Sequence, residues 1–514
     1  MYGRVLGFAV VGVVGHVLTV EAHIGRGLPS LTMTGLPGAS VQDARDRIRP
    51  AVESSGLEWP LRRVVVNLSP GNLRKDGPGF DLPIAMGVLA ASKQVPAGNL
   101  ERYAFAGELS LDGSLTATPG VLSMAIAASR RRLAGLVVPA ANLSEARLVE
   151  DLDVVAVASL REAVDFLRSG RRPEVESSEA ATQPPPADDR SIDLREIRGQ
   201  ARARRALEVA AAGGHNLLLM GSPGAGKTML ARRLATILPD LTRTEALEVT
   251  QLHSIAGVLS TSGLVRQRPF RSPHQSVSLA GLVGGGSSLL RPGEVSLAHH
   301  GVLFLDELTE FRRDAVEGLR QALEDGRVVV TRAVGSVEYP ARFTLVAAAN
   351  PCPCGYAGDP RRHCSCPPHR VELYRHKLSG PLLDRIDLRL DVPRLSKGEL
   401  LGESRGESSP AVRERVQAAR ERQRARYASL GVSCNGQLPG PLARREARLT
   451  ASAEGLLAKA VESLALTGRG FDRALKVART IADLAGAEEA GADHVAEALS
   501  YRAAFDTGDL VRAV

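Results

Sequence analysis

The chain has 514 residues, a formal charge of +8, 44% hydrophobic residues and 24% charged ones, which excludes a single compact core and a wholly disordered or fibrous chain. The positive balance favours an anionic partner such as a phosphate backbone. The plain alternative is an Arg-rich solvated surface, because acidic residues are interspersed among the basic ones.

The opening stretch "MYGRVLGFAVVGVVGHVLTVEAH" reads as a strand. Its Val and Gly content, His16 inside the run and the lack of a small-residue cleavage site all weigh against a signal peptide. No other run reaches the roughly 18 apolar residues that span a bilayer. A cytoplasmic, reducing location is the expectation, and there clustered cysteines bind metal more readily than they form structural disulfides.

From residue 1 to about 170, short β-branched runs ("RRVVVNLSP", "LAGLVVPA", "DVVAVASL") alternate with helix-like stretches ("SVQDARDRIRPAVESSG", "PIAMGVLAASKQ"), the pattern of an α/β domain. Residues 171–190 are rich in Pro, Ser and acidic side chains without apolar period and read as a linker. A second α/β domain covers 191–395, with strands ending in Met220, Leu305 and Ala349 and with "AGLVGGGSSLLRPGE" as an inserted loop. From 396 to 514 the chain is Arg-, Glu- and Ala-rich with a helical period.

"HNLLLMGSPGAGKTMLARRLATIL" reads as strand, glycine loop and helix, in that order. Gly221, Ser222, Pro223, Gly224, Ala225 and Gly226 let successive backbone N–H groups turn toward phosphates at a helix N-terminus. Lys227 reaches the β- and γ-phosphates, and Thr228 offers its hydroxyl to Mg2+. "GVLFLDEL" is a continuous apolar run, as a central parallel strand requires, ending in two carboxylates. Asp306 suits the Mg2+ and Glu307 suits activation of the attacking water; an acidic helix cap is the alternative. "FTLVAAAN" places Asn350 at the tip of a third strand, where an amide can orient water against the γ-phosphate; an Asn before Pro is otherwise a turn former.

These motifs, with "RGQARARRALEVAAAGGHNLLLMGSPGAGKT", "FRSPHQSVSLAGLVGGG", "NPCPCG", "LLDRIDL" and "RALKVARTIADL", resemble the ComM/YifB family of magnesium-chelatase-like AAA+ ATPases over nearly the whole chain. The resemblance implies an AAA+ P-loop NTPase domain with a C-terminal helical lid. It also implies ATP and Mg2+ as cofactors and an arginine finger at Arg385. The lid arginine falls at Arg473, with Arg469 and Arg479 as competitors. The finger would enter a neighbouring subunit's site, so a homo-hexameric ring is expected. A salt bridge of Arg385 with Asp384 or Asp387 is the alternative.

Four of the five cysteines fall within seventeen residues: Cys352, Cys354, Cys364 and Cys366. Four thiolates can close a tetrahedral Zn2+ site and fold a loop with no core of its own, although C-x-C is a tight bite. His363 and His369 are possible substitutes, and redox-active thiols are the other reading. Lying between Asn350 and Arg385, such a knuckle would brace the edge that carries the finger.

The stretches "RKDGPGFDLPIAMGVLAA" and "FAGELSLDGSLTATPGVLSMAIAA" resemble the Lon-type peptidase fold (ribosomal S5 domain 2-like). The family's serine falls at Gly79 and its lysine at Leu122, so the Ser-Lys dyad is missing; Ser69 and Lys75 are near but do not match. A scaffold or a protein partner for this domain is the remaining expectation. The resemblance further implies a DNA helicase that promotes branch migration in recombination or natural transformation. Single-stranded or branched DNA would be contacted by Arg327 and Arg332 on a hairpin turning at Gly335-Ser336, with Arg266, Arg268 and Arg271 adding to a basic channel. The competing reading is a chelatase-like protein-remodelling ATPase that drives a partner protein.

Overall fold

The opening apolar run folds as two strands rather than one, because Gly12 adopts φ +60 and lets the chain reverse. β1 (Tyr2–Val11) and β2 (Val14–Gly25) pair antiparallel with Val11 opposite Val14. The computed structural model describes residues 1–174, 192–259, 263–286, 290–332, 335–378, 380–402, 406–464 and 466–502. Most of the expected linker lies outside them.

The N-terminal region continues through β3 (Ser30–Thr34), α1 (Ala39–Ser54), β4 (Arg63–Ser69), α2 (Asp81–Ala91), β5 (Tyr103–Phe105), α3 (Val121–Arg130), β6 (Gly135–Pro139), β7 (Asp153–Val157) and α4 (Leu160–Ser169). These seven strands form one mixed sheet in the order β3-β4-β2-β1-β5-β6-β7, and Glu108–Leu109 pairs separately with Leu115–Thr116. The apolar helix α2, buried along nearly its whole length, packs on β1 and β2. Gly3 and Gly7 face it, and a Cβ on Gly3 would come within 2.5 Å of the Gly87 carbonyl oxygen. Lys75 is fully buried with its Nζ donating to the Pro70 carbonyl, so its amine is occupied inside the fold.

The second region is built on a five-stranded parallel sheet. Its elements are α5 (Ala201–Gly213), β8 (Leu217–Met220), α6 (Lys227–Ile237), α7 (Arg243–Ala256), β9 (Phe270–Arg271), β10 (Val302–Leu305), α8 (Arg313–Asp325), β11 (Arg327–Arg332), β12 (Gly335–Pro340), β13 (Thr344–Ala349), α9 (Pro368–His376) and β14 (Leu388–Asp391). The order is β9-β10-β13-β8-β14, and β8, β10 and β13 are buried throughout. All-parallel strands covered on both faces are apolar end to end, which is why "LLLM", "VLFL" and "TLVAAA" carry no alternation. β11 and β12 form a separate antiparallel hairpin with Arg332 opposite Gly335 and Thr331 opposite Ser336, so Gly335 and Ser336, expected as its turn, lie on β12. The segment expected as an inserted loop contains a short helix, Leu279–Val283, and a two-residue strand pair.

The C-terminal region is built of helices: α10 (Ser409–Arg426), α11 (Gly440–Glu446), α12 (Ala451–Ser463), α13 (Gly468–Ala485) and α14 (Ala492–Ser500). α10 and α13 pack on α5, and α10 also packs on α6, the helix that follows the glycine loop.

The N-terminal region docks on α7. The Gly120 amide donates to Ser254 Oγ at 2.8 Å, Gln251 Nε2 donates to Ser123 Oγ at 2.9 Å, and Arg243 pairs with Glu150 at 2.6 Å. The β1–β2 turn rests on the hairpin so closely that a Cβ on Gly12 would meet the Glu338 carbonyl oxygen at 2.9 Å. Among the described residues no helix is long and apolar enough to cross a membrane.

Candidate nucleotide site

β8, β10 and β13 are adjacent and parallel, so their C-terminal ends emerge side by side. β8 runs into the glycine loop, β10 into Asp306 and Glu307, and β13 into Asn350. Gly224 (φ +78) and Gly226 (φ +93) take left-handed backbone that only glycine adopts without strain. Lys227 then opens α6, and its Nζ donates to the carbonyls of Gly221 (2.6 Å) and Ser222 (3.2 Å) and to Asn350 Oδ1 (3.1 Å). Burial pushes this amine's pKa down, against the opposing pull of Asp306 and Glu307.

Thr228 Oγ1 donates to Asp306 Oδ2 at 2.7 Å, a hydroxyl and a carboxylate in the arrangement that holds a hard divalent ion. Glu307 sits in left-handed backbone (φ +52), with its amide donating to Asp306 Oδ1 at 3.0 Å. The conformation is uncommon for a glutamate and turns the chain sharply at the strand end. Lys227, Thr228, Asp306 and Asn350 are thus brought into one contact network at one end of the sheet, with Glu307 beside them.

Arg385 and Arg473 lie at the other end. Asn216, just ahead of β8, donates through Nδ2 to the Arg385 carbonyl at 2.9 Å, and its amide donates to Asp387 Oδ2 at 3.0 Å. Arg473 pairs with Asp387 at 2.9 Å. From Asn216 to Gly221 the chain climbs about 16 Å at strand rise. Arg385 pairs with neither flanking aspartate but with Glu324 at the end of α8, and Arg469 reaches the same carboxylate at 3.6 Å. A cleft of about 560 Å³ is lined here by Glu324, Arg385, Asp387, Arg469, Arg473 and Lys476. Arg385 is itself buried, while Arg479, also buried, is tied to Asp483 at 3.0 Å and is not among the residues lining this cleft.

The four cysteines are gathered together. Cys352 Sγ lies 3.4 Å from Cys354 Sγ and 3.6 Å from Cys364 Sγ, and the Cys354 and Cys364 sulfurs are 3.6 Å apart. Cys366 completes a set whose sulfurs lie within 4.8 Å of one another. Tetrahedral thiolates at Zn–S distances place sulfurs about 3.8 Å apart, so the set fits a metal. Burial works against ionisation of Cys354, but the N–H groups of Tyr356 and Ser365 bring its thiol down to about 6. His363 and His369 are not part of the cluster.

The knuckle does not brace the finger. It packs on the glycine loop, and a Cβ on Gly355 would come within 2.6 Å of Pro223 Cδ. Asp359 lies against the Ser222 side chain and pairs with Arg394 at 2.8 Å, while Arg394 also donates to the Pro223 carbonyl at 3.2 Å. Behind the knuckle, Tyr374 of α9 accepts from Thr309 Oγ1 at 2.6 Å, just past Glu307. Gly355, Asp359, Arg394 and Tyr374 escaped the sequence reading, since no local pattern joins them to the loop they touch.

A second group with metal-like composition, Glu248, His299 and His300, is closed to an ion by its protons. The Arg342 amide donates to His299 Nδ1 at 2.9 Å. In the neutral ring Nε2 therefore carries the proton and donates to Glu248 at 3.1 Å, leaving no lone pair for a metal.

The basic-channel expectation needs correction for two residues. Arg268 is buried against Glu245 at 2.9 Å and Arg271 pairs with Glu294 at 2.6 Å, so neither guanidinium is free for phosphate. Arg327 pairs with Glu338 on the partner strand at 3.0 Å. Arg332 bonds the Thr331 carbonyl at 3.3 Å on the exposed end of the hairpin, and Arg266 is exposed.

The family described as "Magnesium chelatase, subunit ChlI" matches residues 193–400, with "Subunit ChlI of Mg-chelatase" at 20–142 and "Magnesium chelatase, subunit ChlI C-terminal" at 406–502. The chain is 44% identical to "Uncharacterized protein YifB" of Escherichia coli over 504 residues, covering 96% of each chain. It is 42% identical to "Competence protein ComM" of Haemophilus influenzae over 501 residues, again 96% of each. A shorter likeness, 30% over 149 residues, covers 26% of this chain and 43% of the "Magnesium-chelatase 38 kDa subunit" of Rhodobacter capsulatus. With a parallel sheet carrying the glycine loop at the C-terminal end of an inner strand and full-length relatives of this kind, the chain belongs to the ComM/YifB family of magnesium-chelatase-like AAA+ ATPases.

Proposed function

We propose that this protein is a hexameric, ATP-hydrolysing ring motor that acts on DNA as a helicase promoting branch migration. Lys227, Thr228 and Asp306 bind ATP and Mg2+, Glu307 activates water, Asn350 orients it, and Arg385 and Arg473 act on the nucleotide of an adjoining subunit. One observation carries the reading: Arg385 and Arg473 are held at the strand end opposite the glycine loop. A chain arranged this way cannot fold its own arginines onto its own triphosphate, so the site is completed by a second copy. Electrostatic stabilisation of the transferring phosphoryl group would come from across the boundary.

In this reading residues 1–170 form a Lon-like scaffold without peptidase chemistry, 191–395 the ATPase core and 396–514 the lid. The four cysteines hold a structural Zn2+. The protein works in the cytoplasm. DNA is supported by the excess positive charge, by Arg332 at the tip of an exposed hairpin and by the likeness to a competence protein. The chelatase-like reading, a motor driving a protein partner, draws on the likeness to a chelatase subunit and on the docked N-terminal region as a place to receive one.

The test is ATP turnover measured against protein concentration, with and without forked DNA, beside molecular mass with ATP present. Specific activity rising with assembly and stimulated by DNA in a salt-dependent manner is the expected result. Turnover at full rate by isolated chains sinks the shared site, and assembly-dependent turnover indifferent to DNA sinks the DNA motor.

A further inference from the structure

A buried polar chain links the C-terminal helices to the edge that carries Arg385, and His215 is its middle member. The ring is fully buried between α5 and β8. Its Nε2 lies 2.7 Å from Thr480 Oγ1 on α13, and its Nδ1 lies 3.4 Å from Asp387 Oδ2. Gly213 leaves the room for this contact, since a Cβ there would come within 2.1 Å of Nε2 and 2.6 Å of Thr480 Oγ1.

Counting protons fixes the direction of the chain. Thr480 has one hydroxyl proton, which goes to the Lys476 carbonyl at 2.8 Å. Its oxygen accepts from Asn435 Nδ2 at 3.0 Å and must therefore also accept from His215 Nε2. Nδ1 is left facing the Asp387 carboxylate at 3.4 Å, without a hydrogen bond of its own. Beyond Asp387 the chain divides: one oxygen takes Arg473, and the other takes the Asn216 amide, whose side chain holds the Arg385 carbonyl. At the far end, Asn435 Nδ2 also donates to Asp483 at 2.9 Å, and Asp483 clamps Arg426 of α10 and Arg479 of α13.

We propose that His215 is a positioning residue: through Asp387 and Asn216 it sets Arg385 and Arg473 against the neighbouring subunit's nucleotide, in register with the C-terminal helices through Thr480. This rests on the reading that those arginines act across a subunit boundary. His215 touches no nucleotide. Its ring contacts both Thr480 of α13 and Asp387, beside the direct pairing of Arg473 of the same helix with Asp387. Positioning by an ångström is enough to change turnover about 100-fold without changing ground-state binding.

The experiment mixes subunits of the full-length protein. Lys227→Ala chains have no working site of their own but carry an intact arginine edge, and His215→Ala chains are the converse. Each alone is expected to hydrolyse ATP at least 10-fold more slowly than wild type, with the KM of His215→Ala for ATP held within about twofold. Random 1:1 mixed rings are expected to recover about a quarter of wild-type turnover, the share of boundaries that pair an intact loop with an intact edge. Lys227→Ala mixed with Arg385→Ala is the control. If the control recovers and the His215→Ala mixture does not, His215 serves its own site or only the fold, and the inference is overturned. If the control itself fails to recover, the shared site falls and the inference with it. Thr480→Val keeps the bulk and removes the hydroxyl, so it decides the matter by the same mixing readout should His215→Ala not assemble. Its failure to complement overturns the proposal equally.

Discussion

Gly355 of the cysteine knuckle and Pro223 of the phosphate loop are in direct contact, so close that one added methyl group on Gly355 would stand 2.6 Å from the proline ring. The knuckle therefore walls the loop proposed to hold the triphosphate. Gly355→Ala meets both that ring and an unfavourable φ of +84, a conformation costing a non-glycine residue on the order of 1–3 kcal/mol. The expected result is an ATP KM raised about 10-fold with little change in kcat, read from steady-state kinetics of the assembled protein. An unchanged KM would show that the loop tolerates displacement and that the wall has no part in binding.

Glu307 should separate binding from cleavage. Its carboxylate stands beside Asp306, whose contact with Thr228 does not involve it. Glu307→Gln should bind ATP with wild-type affinity and lose about 100-fold or more in kcat, the usual contribution of a positioned base. Equilibrium binding of a fluorescent ATP analogue beside single-turnover hydrolysis checks it. Brisk hydrolysis by this variant would assign the base role elsewhere.

Metal content offers a third check. Purified protein should carry about one zinc per chain, and a strong chelator should lower the melting temperature and raise the ATP KM together, because the same loop that holds the sulfurs holds Asp359 against Ser222. Cys364→Ser should reproduce both effects. Stoichiometric absence of metal from protein purified without chelator removes the assignment.

His299 makes a pH prediction. Burial holds its imidazole down to about 4, below the usual 6.5, so the folded protein keeps the ring neutral while the unfolded chain binds a proton. The stability this provides is complete above pH 6.5 and is lost as pH falls toward 4. The ceiling is about 3 kcal/mol for a shift of this size. Denaturant unfolding between pH 4 and 7 should show this descending limb, and His299→Gln should flatten it. A limb of unchanged steepness in the variant would place the proton uptake at another group.

What the sequence disclosed was what is local along it. The phosphate loop is a run of eight residues whose glycines and lysine act on their own backbone, and its position between β8 and α6 was legible from the apolar run before it. The grouping of the four sulfurs was legible for the same reason. The target of the knuckle was not, because Asp359 meets Ser222 across 137 positions and neither residue is unusual where it stands. Arg268 and Arg271 looked available for phosphate because their partners, Glu245 and Glu294, lie 23 residues away in each case. The opening run held two strands because a single glycine with positive φ turns the chain in a stretch whose composition is uniform.

The ammonium of Lys227 has three protons, and three oxygens within its own protomer already accept them: Gly221, Ser222 and Asn350. On the proposed reading, an arriving triphosphate would enter by substitution, displacing these acceptors rather than finding a bare cation. The net gain would be the difference between phosphate and amide oxygens as partners, and Asn350 would be released in the same event. Occupancy of the site would in this way be reported to the tip of β13 before any bond is broken.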